Sequence, residues 1–219
     1  MTKNRDAGEV GTTLEPGHFC ANLSRVTHAI AQPLTVLRTR FDSGLVSRMS
    51  LSDFHVLARD TARDIERLCG AFASLQELIA IEEFPATVVM QNVAHLVAVV
   101  VDEMEVLFQK AGIRLRVDVS REDVSALLDM SRTYEVIHSV LRLVQRVSSR
   151  GDRVDVTVLH CPDGVQIGVR SSARSVAVDG VGELSLALAA AKMRSQQGSM
   201  TWTSERFGVE IRWPGEAAR

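Results

Sequence analysis

A chain of 219 residues with 46% hydrophobic and 24% charged side chains has room for one or two domains and the composition of an ordinary globular protein. Its 25 Lys and Arg against 27 Asp and Glu leave a formal net charge of −2, which gives no electrostatic case for nucleic acid as a partner. No apolar run approaches the roughly 20 residues that cross a bilayer, and the polar start MTKNRDAGEVGTT lacks an apolar signal segment, so the default expectation is a cytoplasmic protein with no membrane partner.

Residues 1–15 are polar, glycine-containing and without periodicity, the pattern of a disordered tail. From residue 16 a helix is expected to about residue 43. Leu23, Val26, Ile30, Leu34, Leu37 and Phe41 recur every three or four positions, the period of an amphipathic helix docked on other helices. At roughly 100° per residue, His28 lies about 140 to 150° from the middle of that stripe and should face water. Pro33 has no amide hydrogen to give the carbonyl of Ala29, so a bend is expected there, at a cost of roughly 3 kcal/mol.

A second helix should open at Ser50, a good N-cap with Asp53 three residues on as its capping partner, and stop before Pro85. Phe54, Leu57, Thr61, Ile65, Leu68, Phe72, Leu75 and Ile79 keep the helical spacing between them. Residues 16–85 thus read as an antiparallel hairpin with an apolar stripe on each helix. Two helices alone enclose two such stripes poorly. Pairing with a second copy into a four-helix bundle is the common solution, so a homodimer is expected.

Beyond residue 85 the texture changes. Residues 93–108 are helical in period, with Gly112 as the stop. The run IRLRVDV at 113–119 alternates like a half-buried strand. A short apolar stretch at 123–129 precedes a helix marked by Tyr134, Ile137, Val140, Leu141 and Val144. Strands at 154–159 and 165–169 are joined by the turn residues Cys161, Pro162, Asp163 and Gly164. A helix at 183–196 and a last hairpin, 200–204 and 209–213 around Gly208, close the chain. The order implies a mixed sheet covered by helices on one face. The fold class is therefore α+β: a helical hairpin followed, over residues 86–219, by an α/β sandwich.

Cys20, Cys69 and Cys161 form no Cys-x-x-Cys pair, and His18, His55, His95, His138 and His160 show no ligand spacing. The cysteines read as small apolar residues, and no metal site is expected.

Two stretches resemble a known family. His28-Ala29-Ile30-Ala31-Gln32-Pro33-Leu34 is similar to the H-box of two-component sensor histidine kinases, His-x-x-x-x-Pro-Leu. Gly180-Val-Gly-Glu-Leu-Ser-Leu, its helix and Gly198 resemble the second glycine box of the same family, whose ATP-binding domain shares its fold with gyrase-type ATPases. The resemblance covers about residues 17–214. It implies a phosphoryl group carried on the ring nitrogen of His28 and a dimeric four-helix bundle.

The family's ATP-binding residues are not matched. Set against the family pattern from Asp129 to Arg132, the two asparagines expected on the next helix fall on Ser139 and Leu143, although Arg146 fits the usual basic residue. Leucine cannot ligate magnesium, which takes hard oxygen donors. Where Asp-x-Gly-x-Gly should read the adenine, the chain runs Ser171-Ser-Ala-Arg-Ser175, and little room is left for a lid before Gly180. Ala29 also replaces the acidic residue that acts as base toward ATP in the family. A neutral imidazole still accepts a phosphoryl group from an activated acyl phosphate.

The resemblance therefore points to a histidine phosphotransferase closest in kind to dimeric bacterial phosphorelay proteins. It would relay a phosphoryl group between response-regulator receiver domains through His28, with no cofactor of its own and Mg²⁺ only on the partner receiver. Arg25, Gln32 and Thr35 lie at helical spacings from His28, where they either meet the phosphoryl group or docked receiver, or form a solvated helix face. The other reading is a pseudokinase scaffold or inhibitor that binds a histidine kinase or receiver without catalysis. A serine kinase or anti-sigma factor would need the missing nucleotide boxes and would not need the hairpin.

Overall fold

The computed structural model describes residues 18–46, 50–119, 124–173, 178–204 and 207–215, without the side chains of 18–22, 25 and 44–46. The tail expected at 1–15 lies outside the described residues. The chain divides into two compact units, Pro16–Pro85 with Asp179–Leu188, and Ala86–Val178 with Ala189–Arg219.

In the first unit α1 (His18–Val46) and α2 (Leu51–Glu83) pack side by side. Helix α1 passes beyond the stop expected near residue 43. It also runs through Pro33, whose ring is buried. Helix α2 starts with a reciprocal capping box: the Ser50 hydroxyl accepts from the Asp53 amide, and the Asp53 carboxylate accepts from the Ser50 amide at 3.2 Å. Its buried residues are Asp64, Ala71, Leu78 and Ile81. The stripe expected from spacing alone is only partly covered, since Leu34 and Phe41 on α1 and Ile65, Phe72 and Ile79 on α2 are exposed. The two helices pack chiefly on each other, and among the described residues one flank of each wide stripe stays uncovered.

The second unit opens with β1 (Val89–Asn92), which the sequence did not announce, because three of its four residues are exposed and no alternation marks it. Helix α3 (Val93–Ala111) ends at Gly112, whose φ of 70° is the left-handed C-cap that glycine adopts without strain. Strand β2 (Arg114–Val119) and β3 (Ser125–Leu128) follow, then α4 (Met130–Val147), β4 (Arg153–Cys161), β5 (Gly164–Ser171), α5 (Gly180–Arg194), whose first part to Leu188 is counted with the first unit, β6 (Ser199–Thr203) and β7 (Gly208–Pro214). The main sheet has five strands in the order β2-β4-β5-β7-β6, while β1 and β3 form a separate antiparallel ladder. Strand β2 runs parallel to β4, and the remaining neighbours are antiparallel, so the sheet is mixed. At the β4–β5 turn Gly164 has φ 135°, and a Cβ there would lie 1.9 Å from the Trp213 carbonyl oxygen.

One face of the sheet carries Val154, Val156, Val158, Val165, Ile167, Val169, Val209, Ile211 and Trp213, all buried. It is covered by α3 and α4, whose inward residues include Val97, Val100, Phe108, Val140, Leu141 and Val144. The opposite face holds the alternate residues Asp155, Thr157, Arg170, Glu210 and Arg212, with Glu210 paired to Arg170 and Arg212. The in-out alternation of β4 from Val154 to Val158 and of β7 follows from this one-sided covering.

Candidate functional site: the His28 face of the hairpin

His28 is exposed on α1, on the side that its angular offset from the apolar stripe requires. One turn on, Gln32 Nε2 lies 3.0 Å from His28 Nε2, both side chains being exposed. Thr35 is exposed too, and its hydroxyl donates to the Ala31 carbonyl at 2.9 Å. Ala29, half-buried, brings no carboxylate to the ring. The Arg25 side chain lies outside the described residues. The helix therefore brings Gln32 onto the imidazole, while the Thr35 hydroxyl is bonded to its own backbone.

Below this face the hairpin is joined by charge. Asp64 is buried, and its carboxylate meets Arg40 from α1 at 2.7 Å and Arg67 from its own helix at 3.2 Å. Asp60 adds Arg63 at 3.2 Å and Arg40 at 3.8 Å.

In the second unit, Asp129 caps α4: its carboxylate accepts from the Arg132 amide and from the Thr87 amide. Buried Gln196 accepts from the Asp129 amide at 2.8 Å and from the Thr133 hydroxyl at 3.1 Å, and Lys192, also buried, pairs with Glu135. Farther along α4, Ser139 is half-buried and Leu143 is 3% exposed. At the end of β5 the Ser171 hydroxyl pairs with that of Ser148 at 2.8 Å, and the Ser172 hydroxyl accepts from the Arg153 amide at 2.9 Å. Across α3 and α4 the Tyr134 hydroxyl donates to Glu103, which pushes its ionisation above the ordinary value. Among the described residues no three His, Cys, Asp or Glu side chains cluster at metal-binding distance, and no helix is long and apolar enough to cross a membrane.

The architecture matches solved kinases. The histidine kinase AdeS of Acinetobacter baumannii superposes with a TM-score of 0.62 over 86% of this chain and 98% of that one, at 16% identity. The histidine kinase ThkA, solved in complex with the response regulator TrrA, gives 0.69 over 92% of this chain and 63% of that one, at 14% identity. The fold is that of a sensor histidine kinase core. In sequence, the adaptive-response sensory kinase SasA of Prochlorococcus marinus is 24% identical over 140 residues, 63% of this chain and 36% of that protein. The chain thus spans little more than a third of that relative's length. No family model matches it.

A kinase core holds magnesium-ATP through oxygen donors on the helix equivalent to α4 and an acidic glycine-rich turn after the strand equivalent to β5. Leu143 is packed into the core and offers no oxygen, and the hydroxyls of Ser171 and Ser172 are bonded within the protein. These residues do not fit the group. Residues 174–177, the rest of that segment, lie outside the described residues. Sequence reading marked Gln32 by its spacing but did not place it on the ring nitrogen. It missed the Arg40–Asp64 pair altogether, since pairing between helices depends on a register that no local pattern encodes.

Proposed function

We propose that this protein is a two-component phosphotransfer protein in which His28 accepts a phosphoryl group from the phosphoaspartate of one response-regulator receiver domain and passes it to another. It would do so without ATP-dependent kinase activity. The observation that carries this reading is an exposed imidazole on the hairpin of a kinase-core fold. The residues at the expected nucleotide positions, Leu143 and Ser171, are turned to packing and internal hydrogen bonds. That a kinase of the same fold is solved with a response regulator supports a receiver as the partner.

In this reading the receiver brings both the activated phosphoryl group and the Mg²⁺ that shields it, so the chain needs no cofactor. Its own task is to present a nucleophile and a docking face, with Arg25, Gln32 and Thr35 around His28. Transfer from an acyl phosphate needs only the ring lone pair, and so tolerates Ala29 where attack on ATP would call for a base. The exposed rows Leu34–Phe41 and Ile65–Phe72–Ile79, each stepped by seven residues, support a homodimer whose hairpins close into a four-helix bundle. The proposed setting is the cytoplasm, where receivers are found.

The test is to mix the full chain separately with a panel of ³²P-labelled phosphorylated receivers and with radiolabelled ATP. Label should reach the wild-type chain from a receiver and not from ATP, and should not reach His28→Ala. Efficient labelling from ATP would overturn the reading. A partner response that survives His28→Ala would instead identify a non-catalytic scaffold.

A further inference from the structure

Resting on the phosphohistidine reading, we infer that Gln32 is a positioning residue that fixes His28 in the tautomer with its proton on Nδ1 and its lone pair on Nε2. The amide nitrogen of Gln32 stands 3.0 Å from His28 Nε2. An amide nitrogen only donates, so a hydrogen bond between these two atoms requires that Nε2 accept. A neutral imidazole whose Nε2 accepts carries its hydrogen on Nδ1. The spacing of four residues brings the two side chains together on one helix face, and both are exposed, so the bond forms within α1 alone.

This tautomer suits transfer from a phosphoaspartate. The Nε2 lone pair attacks phosphorus, the bond from phosphorus to the carboxyl oxygen breaks, and its electron pair leaves with the aspartate as carboxylate. The ring keeps its Nδ1 hydrogen and becomes an N-phosphorylated imidazolium. Charge balances with no proton lost. A side-chain base is therefore not required, and Ala29 supplies none. The opposite tautomer would present an N–H at Nε2 and leave the lone pair on Nδ1, so that Nε2 could not attack. As the phosphorus–nitrogen bond forms, the Gln32 amide exchanges its ring acceptor for a phosphoryl oxygen, so the group that orders the ring also meets the incoming charge.

The experiment uses the full chain with ¹⁵N-labelled histidine above pH 8, where imidazoles are neutral, and long-range ¹H–¹⁵N spectra of the rings. The His28→Ala variant assigns the signal. In wild type the His28 Nε2 should resonate as an unprotonated, pyridine-like nitrogen. Gln32→Ala should move the ring toward the Nε2–H form that free histidine favours. Gln32→Glu, which can only accept, should hold Nε2–H and slow phosphoryl uptake from a labelled receiver at least tenfold. Circular dichroism of both variants should match wild type, because Gln32 is exposed.

A wild-type His28 found mainly as Nε2–H, or a tautomer unchanged in Gln32→Ala, overturns the inference. The ring spectra are independent of any transfer. If the tautomer follows Gln32 and yet no receiver phosphorylates His28, the positioning stands and the phosphotransfer reading falls; label without the tautomer shift sinks the positioning alone.

Discussion

Arg40 on α1 places its Nη1 2.7 Å from Oδ2 of Asp64 on α2, an ion pair across the hairpin in which the aspartate is 4% and the arginine 35% exposed. The two ends of this pair are not equivalent. Removing Asp64 leaves Arg40, 35% exposed, to water and to Asp60, and Arg67, 65% exposed, to water. Removing Arg40 strands one carboxylate oxygen in the interior with Arg67 alone to answer it. Burial without a partner is the expensive case.

Arg40→Met should therefore destabilise the chain by about 2 to 3 kcal/mol, less than the roughly 3 to 5 of a fully buried broken pair, because Arg67 remains and Arg40 is partly solvated. Asp64→Leu, which removes the buried charge itself, should cost under about 1 kcal/mol. Urea unfolding of the two variants compares them directly. If Asp64→Leu costs more than Arg40→Met, the pair is a source of net stability and the desolvation argument is wrong.

A second expectation concerns pH. The Ser50 hydroxyl, then the Ser50 amide, bonded to the Asp53 carboxylate hold its ionisation below the ordinary value of 3.8. A depressed carboxyl contributes stability above its unfolded value and loses it as pH falls through the folded one. The cap of α2 should thus be intact at pH 5 and loosen only below 3.8. The Ser50 amide, which donates to Asp53 at 3.2 Å, reports this directly. Its chemical shift should titrate with a midpoint under 3.8 and should not titrate in Asp53→Asn; a midpoint at or above 3.8 contradicts the capping account.

What could be read from the sequence was whatever local rules encode. The Ser50–Asp53 capping box, the Gly112 stop and the Cys161–Gly164 turn each depend on a few adjacent residues, and each is where the spacing put it. The mixed sheet followed from element order and alternation. Strand β1 was invisible, because Val89 and Met90 are both exposed and the strand earns its place only by pairing with β3. The end of α1 was misplaced by Gly44, which punctuates less strongly than the helix around it persists. At the site, helical spacing placed His28 toward water and Gln32 near it. The direct nitrogen-to-nitrogen bond needed coordinates, as did the cross-helix choice of Asp64 by Arg40.

The uncovered rows on the hairpin make a third expectation. Ile65, Phe72 and Ile79 lie on one line of α2, exposed beside the buried line of Asp64, Ala71 and Leu78. Burying a phenylalanine contributes roughly 1.5 to 3 kcal/mol, and in a symmetric dimer each substitution acts twice. Phe72→Glu should weaken self-association at least a hundredfold, seen by light scattering across a dilution series, while helicity is retained. An unchanged mass at micromolar concentration would remove α2 from the dimer seam.

The last expectation asks whether one residue could restore what the nucleotide positions lack. Leu143→Asn returns an amide to the place where a kinase core has one, but Leu143 is 3% exposed and its neighbours Val140 and Val144 are buried with it. Loss of apolar packing and burial of an amide together should cost about 2 to 4 kcal/mol, lowering the melting temperature by several degrees. Magnesium-ATP should not recover it. The strand that would read adenine still ends in Ser171, bonded to Ser148, and the run Ser171 to Ser175 contains no acidic residue. A ligand at a hundred times its dissociation constant adds about 2.7 kcal/mol, so binding by the variant would be obvious as a melting shift. Stabilisation of either wild type or Leu143→Asn by magnesium-ATP would show that the nucleotide site is closed by less than these residues, and that His28 has a donor within its own chain.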